Sequence, residues 1–308
     1  MFDYTFLAEK KPSIKLLFLV LIFIGSMIII PIFLMLVALP IWGNDIVMQG
    51  FQINSDSLNY MIFVQFFTQI GVFGFSAWFF ARLVVKKPFN YLKITKKISL
   101  KTIFLAAISM VMIIPLSSYF LEISQSIKFP ESLKWLENSM RLQEEFGNAI
   151  MEQFLKVNSI GGLLFNLLFL AVLPAFCEEL LFRGALQNIV SQMVKNKHIV
   201  VIITATVFSA IHFQFFSFFS RFALGIILGY SVILSGSLIP SIVAHFVNNA
   251  ISVISAYLYF NGYSSQNWQE TGSFSNQIWI VIITAAISII CIFAINKKRE
   301  KEIWRETH

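Results

Sequence analysis

Long apolar stretches separated by short polar ones dominate the chain. A transmembrane helix needs about 20 consecutive apolar residues, and eight stretches have a suitable length. The predicted spans are residues 16–41, 60–84, 101–122, 160–190, 198–219, 221–238, 240–260 and 277–295. This pattern predicts an all-α protein, a polytopic membrane bundle of about eight transmembrane helices.

Composition supports this prediction. Hydrophobic residues make up 57% of the 308 residues and charged residues only 13%, more apolar surface than a soluble domain of this length could bury. Cys177 and Cys291 both lie inside predicted spans, so no disulfide framework or cysteine metal site is expected. Cys177 could be a nucleophile beside Glu178, but a small apolar helix residue is the favoured interpretation.

The distribution of positive charge predicts the topology. Lysine and arginine are concentrated before the first span, in 82–101, at Lys195 and Lys197, and in 297–305, whereas the alternate loops hold few. Because cytoplasmic loops are enriched in Lys and Arg, both termini are predicted to be cytoplasmic. The net charge of +7 is thus a topology signal, and no nucleic-acid partner is expected.

The first span is too long for a signal peptide and is expected to be retained.

Residues 123–159 differ from the spans. From Pro130 onward, apolar residues recur at near-helical spacing through Phe154, which predicts an amphipathic helix at the outer interface or across the end of the bundle; a substrate gate is the alternative. Residues 261–276 are predicted to be an exterior loop. The expected units are 1–159, the N-terminal membrane helices with this segment; 160–260, a catalytic core; and 261–308, the last membrane helix and a basic cytoplasmic tail.

The candidate chemistry lies in three neighbouring spans. Glu178 and Glu179 are the only carboxylates between Gln153 and Gln269. A charge in the centre of a membrane costs about 2.5–3.5 kcal/mol on insertion scales, so such groups persist mainly where they pair, meet water or react. Glu179 and Arg183 are four residues apart and are predicted to pair. Glu178 points about 100° away around the helix and is left to polarise a proton.

Two further spans each carry a histidine. Glu178 and His212 are equidistant from residue 195, so an antiparallel hairpin places both about 25 Å from the turn. Phe208 and His212 are expected to share a helix face, as are His245 and Asn249. His245 lies only about 13 Å from the turn before its own span. The two histidines therefore lie at the same depth only if the fourth and fifth helices protrude into the cytoplasm.

These groups suit hydrolysis of an amide bond. A glutamate and a histidine sharing one water can act as general base and then general acid, and a histidine with an asparagine amide can stabilise an oxyanion. Glu178, His212 and His245 could instead hold a divalent metal such as zinc, with water as the fourth ligand. No cofactor is expected to be required, because asparagine is a poor zinc ligand and no His-Glu-x-x-His helix occurs.

The motifs Glu178-Glu179-x-x-x-Arg183, Phe208-x-x-x-His212 and His245-x-x-x-Asn249 resemble those of the CPBP intramembrane proteases. This family includes type II CAAX prenyl endopeptidases and bacterial Abi proteins linked to bacteriocin self-immunity. The resemblance covers residues 160–260. It implies a helical bundle with a cavity open to the cytoplasm, in which Glu178 activates water with His212, and His245 and Asn249 stabilise the oxyanion. Glu179, Arg183 and Phe208 would be supporting residues.

The leading prediction is an intramembrane endopeptidase acting near the cytoplasmic face of a bacterial cell membrane. Its partners would be membrane lipids and a peptide or lipid-modified protein substrate, CAAX-like or bacteriocin-related. The alternative is a non-catalytic bacteriocin immunity or membrane scaffold protein of the Abi type. An ion-coupled transporter is a third class, but it would be favoured by inverted repeats, and none is found.

Overall fold

The computed structural model describes residues 5–49, 55–95, 98–266 and 277–307. Within these ranges every regular element is helical, which confirms the all-α prediction. Seven helices are long and apolar enough to cross a membrane in the described part of the chain, so the protein is a multi-pass membrane protein.

The first half contains five helices, and two of them are interrupted. Helix α1 spans Pro12–Gln49 and is broken at Gly43, where φ is 79°. Helix α2 runs through Ser55–Thr68, a π-helical segment at Gln69–Phe75, and Ser76–Val84. The remaining three are α3 (Pro88–Tyr91), α4 (Leu100–Ser126) and α5 (Lys134–Leu155).

The second half begins with the long helix α6, Ile160–Met193, which contains π-helical segments at Leu167–Val172 and Leu180–Leu186. Proline lacks an N–H and crowds the carbonyl four residues earlier, so Pro174 disturbs the helix at Leu170, inside the first of these segments. π-Helical turns frequently occur at functional sites. The remaining helices are α7 (Lys197–Ala210), α8 (Phe218–Ser235), α9 (Ile239–Phe260) and α10 (Ile278–Thr307).

The predicted fifth span, 198–219, is wrong. Helix α7 has 14 residues and ends at Ala210, and Phe213 adopts a left-handed conformation with φ of 53°. The apolar sequence continues past Ala210, but the chain turns there, because side chains form hydrogen bonds with backbone groups in place of the helical ones. Ser209 Oγ, for example, donates to the carbonyl of Phe218. Among the described residues, seven of the eight predicted spans are therefore candidate membrane helices, and the fifth is a shorter apolar helix.

Helices α7 and α8 pack unusually closely. A Cβ atom on Gly225 would lie 3.1 Å from the Cβ of Ala205, and one on Gly229 would lie 3.0 Å from Cγ1 of Val201. Small residues at such positions let membrane helices approach each other closely. A separate hydrogen bond joins α8 to α6, in which Arg183 Nη2 donates to the carbonyl of Gly225 at 3.2 Å.

The amphipathic helix predicted in 123–159 is present as α5 and is not among the candidate spans. One face of it packs on the segment that joins α7 to α8. Of the predicted exterior loop 261–276, residues 261–266 form a turn, and 267–276 lie outside the described residues.

Candidate active site

Helix α6 carries both carboxylates at the end of its segment Leu173–Glu179, directly before a π-helical segment. Glu178 is 7% exposed, and Glu179 and Arg183 are fully buried. The predicted ion pair is present, with Arg183 Nη1 2.7 Å from Glu179 Oε1. The site is therefore assembled around charges held inside the bundle.

Glu178 lies between the two imidazoles. Its Oε2 atom is 4.0 Å from Nε2 of His212 and 4.0 Å from Nε2 of His245. The equal depth expected for Glu178 and His212 is thus present. Hydrogen bonds from nitrogen to oxygen span about 2.7–3.2 Å, so these pairs are neighbours without being directly bonded.

The shallow position expected for His245 does not separate it from the site. Ser241 lies one turn before His245, and its Oγ donates both to Glu179 Oε2 and, at 3.2 Å, to the carbonyl of Leu228. Helix α9 thus begins almost level with Glu179, whereas α6 continues from Glu179 to Met193. The depth of each histidine in the bundle therefore cannot be derived from its distance to the nearest turn, because the turns lie at different levels.

Glu179 is the centre of a buried network. Besides Arg183 and Ser241, it contacts Nδ1 of His245 at 3.0 Å. A buried charge is tolerated when it is paired and hydrogen-bonded, and both oxygens of Glu179 have such partners. Glu179 therefore fixes the position of His245 as well as that of Arg183.

The ring of Phe208 connects the arginine to both histidines. Cζ of Arg183 lies 4.3 Å from the ring centroid, a cation–π distance. The rings of His212 and His245 lie edge-on at 5.1 and 5.9 Å. Phe208 thus excludes water from one side of the cluster.

His212 reaches the site by a different route from the one expected. Phe208 and His212 do not share one continuous helix face, because α7 ends between them at Ala210. Instead, Nδ1 of His212 lies 2.8 Å from the carbonyl oxygen of Phe208. The imidazole thus satisfies a carbonyl that the interrupted helix leaves without its usual partner.

Asn249 lies one helical turn beyond His245 in α9 and is partly exposed. Its Oδ1 accepts a hydrogen bond from Asn248 Nδ2 at 3.1 Å. Among the described residues, no hydrogen bond joins Asn249 to Glu178 or to either imidazole, and its predicted role at the oxyanion stays a prediction.

Three contacts in and around the cluster were not anticipated from the sequence. Gln69 Nε2 donates to Glu178 Oε1 at 2.8 Å, Ser241 contacts Glu179, and Glu144 of α5 binds the segment that carries His212. The sequence contains only weak signals for two of these contacts. Gln69 is a polar residue in an apolar run, and Ser241 continues the four-residue spacing of His245 and Asn249.

The geometry also bears on a metal. Tetrahedral zinc with bonds of about 2.0–2.2 Å holds its ligand atoms about 3.4 Å apart, whereas each imidazole Nε2 lies 4.0 Å from Oε2 of Glu178. In the described part of the chain, no group of three or more His, Cys, Asp and Glu side chains is arranged to hold a metal ion. The distances around Glu178 are thus longer than those between ligand atoms in a zinc site.

Cys177 is buried and packs against α2, where a Cβ on Gly74 would lie 3.1 Å from its Sγ atom. Its position matches that of a small apolar helix residue, the favoured interpretation of the sequence.

Comparison with known proteins identifies the region that contains this cluster. The family model for type II CAAX prenyl endopeptidases of the Rce1-like group matches residues 160–251. Residues 160–251, the Rce1-like domain, are thus similar to this family of endopeptidases, which confirms the family resemblance seen in the sequence. All residues predicted for the site, from Glu178 to Asn249, lie within the Rce1-like domain, whereas Gln69 and Glu144 lie outside it.

A similar protein is the uncharacterized protein YpbD of Bacillus subtilis strain 168, which is 33% identical over 90 residues. The aligned region is 28% of this chain and 43% of YpbD, so the chain spans less than half of that relative. No solved structure gives a significant match.

Proposed function

We propose that the protein is an intramembrane endopeptidase that hydrolyses a peptide bond with a water molecule activated by Glu178 and His212. The observation that supports this most is the 4.0 Å separation of Glu178 Oε2 from Nε2 of each imidazole. A water molecule about 2.8 Å from each of two atoms bridges a gap of this size. Glu178 takes a proton from that water as it attacks the carbonyl carbon.

The hydrogen bonds of His212 define its part in the reaction. A carbonyl oxygen only accepts, so Nδ1 of His212 donates its hydrogen to Phe208. In the neutral ring, Nε2 then has a free lone pair towards Glu178. His212 accepts a hydrogen bond from the second hydrogen of the water and takes that proton as the tetrahedral intermediate forms the new carboxylate. The C–N bond breaks as the amine receives this proton from His212, and the proton held by Glu178 also passes to the amine, which restores the carboxylate.

His245 suits the stabilisation of negative charge. Its Nδ1–H donates to Glu179, so a proton on Nε2 gives an imidazolium next to a carboxylate. The Nε2–H of His245 can then donate to the oxyanion, with the amide of Asn249 as a second donor from the next turn of α9.

The substrate we propose is a membrane-embedded or lipid-modified peptide. The Rce1-like domain belongs to a family named for CAAX prenyl substrates, and a bacteriocin-related peptide is the second candidate. With both termini in the cytoplasm, as the charge distribution predicts, cleavage would take place near the cytoplasmic face.

A non-catalytic immunity or scaffold protein is the alternative, and one observation counts against it. The network of Glu179, Arg183 and Ser241 joins α6 to α8 and α9 without Glu178. Glu178 adds no direct bond to either imidazole, which suits a reactant better than a structural carboxylate.

The proposal is tested with purified full-length protein in proteoliposomes, given prenylated and unmodified hydrophobic peptides in water enriched in 18O. Hydrolysis places 18O in the new carboxyl terminus, which mass spectrometry detects. We expect product from the wild type and from His198→Ala, since His198 is exposed and contacts Tyr230 away from the site. We expect none from His212→Ala. Product from His212→Ala at the wild-type rate would contradict the proposed mechanism.

A further inference from the structure

Gln69 brings a second polar group to Glu178 from outside the Rce1-like domain. It lies in α2, is 4% exposed, and donates from Nε2 to Glu178 Oε1 at 2.8 Å. The two residues are 109 positions apart in the chain.

The local structure of α2 is suited to this contact. Gln69 begins the π-helical segment Gln69–Phe75, which passes between α1 and α6. A Cβ on Gly71 would lie 2.5 Å from the side chain of Ile30, and one on Gly74 would lie 3.1 Å from Sγ of Cys177. Since Cys177 precedes Glu178, the missing side chain at Gly74 lets α2 come close enough for Gln69 to reach the carboxylate.

The two carboxylate oxygens of Glu178 have different neighbours. Oε1 accepts from the amide of Gln69, while Oε2 faces both imidazoles. Hydrogen bonds to a charged group are shorter and about twice as strong as neutral ones. The amide therefore restricts rotation of the carboxylate and keeps Oε2 directed at the position proposed for water.

We propose that Gln69 is a positioning residue for the general base Glu178, so that the catalytic unit extends beyond residues 160–251 into the second membrane span. This inference rests on the proposed hydrolytic function. Gln69 does not touch the reacting atoms. It acts through Glu178, and its removal leaves the base free to turn away from the water.

A simpler interpretation is that Gln69 is a buried glutamine with satisfied hydrogen bonds. The chain offers a matched example in Gln187, which is 3% exposed. Gln187 donates to the carbonyl of Gly229 at 3.0 Å and accepts from Thr204 at 3.2 Å. In the part of the chain that the structure describes, no hydrogen bond joins Gln187 to Glu178. A purely structural role predicts the same consequences for Gln69→Leu and Gln187→Leu.

The test compares these two variants in the full-length protein, with rates normalised to the folded fraction. Misplacement of a reacting group by about 1 Å can cost about 100-fold in rate. We expect Gln69→Leu to lower kcat by about 10- to 100-fold with little change in KM, and Gln187→Leu to keep the wild-type kcat. Equal kcat losses in both variants, or none in Gln69→Leu, would overturn the positioning role.

An infrared measurement tests the contact without any substrate. The carboxylate band of Glu178 is assigned from the difference between the wild type and Glu178→Gln. We expect Gln69→Leu to shift this band and Gln187→Leu to leave it unchanged, because only the former removes a hydrogen bond from Oε1. An unshifted band would disprove the contact. If the band shifts but the wild type cleaves no peptide, the hydrolytic function fails, and the positioning role fails with it although the contact stands.

Discussion

Nδ1 of His245 lies 3.0 Å from Oε1 of Glu179, in the interior of the bundle. Because the carboxylate can only accept, this contact fixes the hydrogen of His245 on Nδ1 and directs Nε2 towards Glu178. The two adjacent glutamates therefore have different partners. Glu179 holds Arg183, Ser241 and His245, while Glu178 remains beside both imidazoles.

Removing the charge of Glu179 should destabilise the protein strongly. Glu179→Gln leaves Arg183 buried without its counter-charge, and breaking a buried ion pair typically costs about 3–5 kcal/mol. The measurement is the free energy of unfolding in lipid bilayers or bicelles. As a control, Glu152→Gln removes a partner of Lys156 where both side chains are about 40% exposed, and should cost at most about 1 kcal/mol. Similar losses from both substitutions would show that the buried network does not hold the bundle together.

Helix α5 should control the activity through the segment between α7 and α8. Glu144 is buried, and it accepts from the backbone N–H of Phe216 at 3.2 Å and from the hydroxyl of Ser217. Glu144→Gln weakens this attachment and lets His212 move, so we expect kcat to fall by about 10-fold or more. Its exposed neighbour Glu145 provides the control, and Glu145→Gln should behave like the wild type. Unchanged kcat in Glu144→Gln would mean that α5 does not position His212.

The attachment of α5 to the end of α4 should depend on pH. The backbone N–H of Phe129 and the guanidinium of Arg141 lower the pKa of Glu137 from 4.5 to about 2. A carboxyl whose pKa is lowered by folding stabilises the folded state fully above its unfolded pKa, and this contribution is lost as the pH falls through the folded pKa. Hydrogen-exchange protection of the Phe129 amide, corrected for the intrinsic exchange rate, should therefore fall between pH 4.5 and about 2.

Two variants check the assignment to Glu137. Glu137→Gln should abolish this pH dependence, whereas Glu131→Gln should retain it because Glu131 is exposed. The same fall in protection in Glu137→Gln as in the wild type would assign the titration to another group.

Much of the fold follows from apolar length alone. Seven of the eight predicted spans correspond to helices of sufficient length and composition. The fifth does not, because hydropathy continues through 211–219 while the backbone turns. The turn depends on tertiary contacts, such as that of Glu144 with Phe216. The local pattern of hydrophobic residues cannot predict such contacts.

The site, like the fold, is only partly predictable from the sequence. The Glu179–Arg183 pair follows from four-residue spacing on one helix, and the meeting of Glu178 with His212 follows from equal distances to one turn. The position of His245 could not be derived by counting residues, because the turns lie at different depths. The contact of Gln69 with Glu178 depends on packing between two helices, and the two residues are 109 positions apart. For this contact the sequence offers only a polar residue in an apolar stretch, followed by Gly71 and Gly74.

Activity should not require a divalent metal. The separations of 4.0 Å around Glu178 suit a bridging water better than zinc. Active protein is dialysed against a chelator, its metal content is verified by mass spectrometry, and peptide cleavage is then measured. We expect full activity without metal and no gain on adding zinc. Loss of activity that zinc restores would assign Glu178, His212 and His245 as metal ligands instead.

The proposed role of Glu178 as general base is tested most directly by the kcat/KM of Glu178→Gln for a cleaved peptide. This substitution keeps the size of the side chain and removes its ability to take a proton from water, so we expect a loss of about 10²- to 10⁴-fold or more. Glu152→Gln, which changes a side chain about 40% exposed, should match the wild type at equal folded concentration. A Glu178→Gln variant with wild-type kcat/KM would contradict the role of Glu178 as the base that activates water.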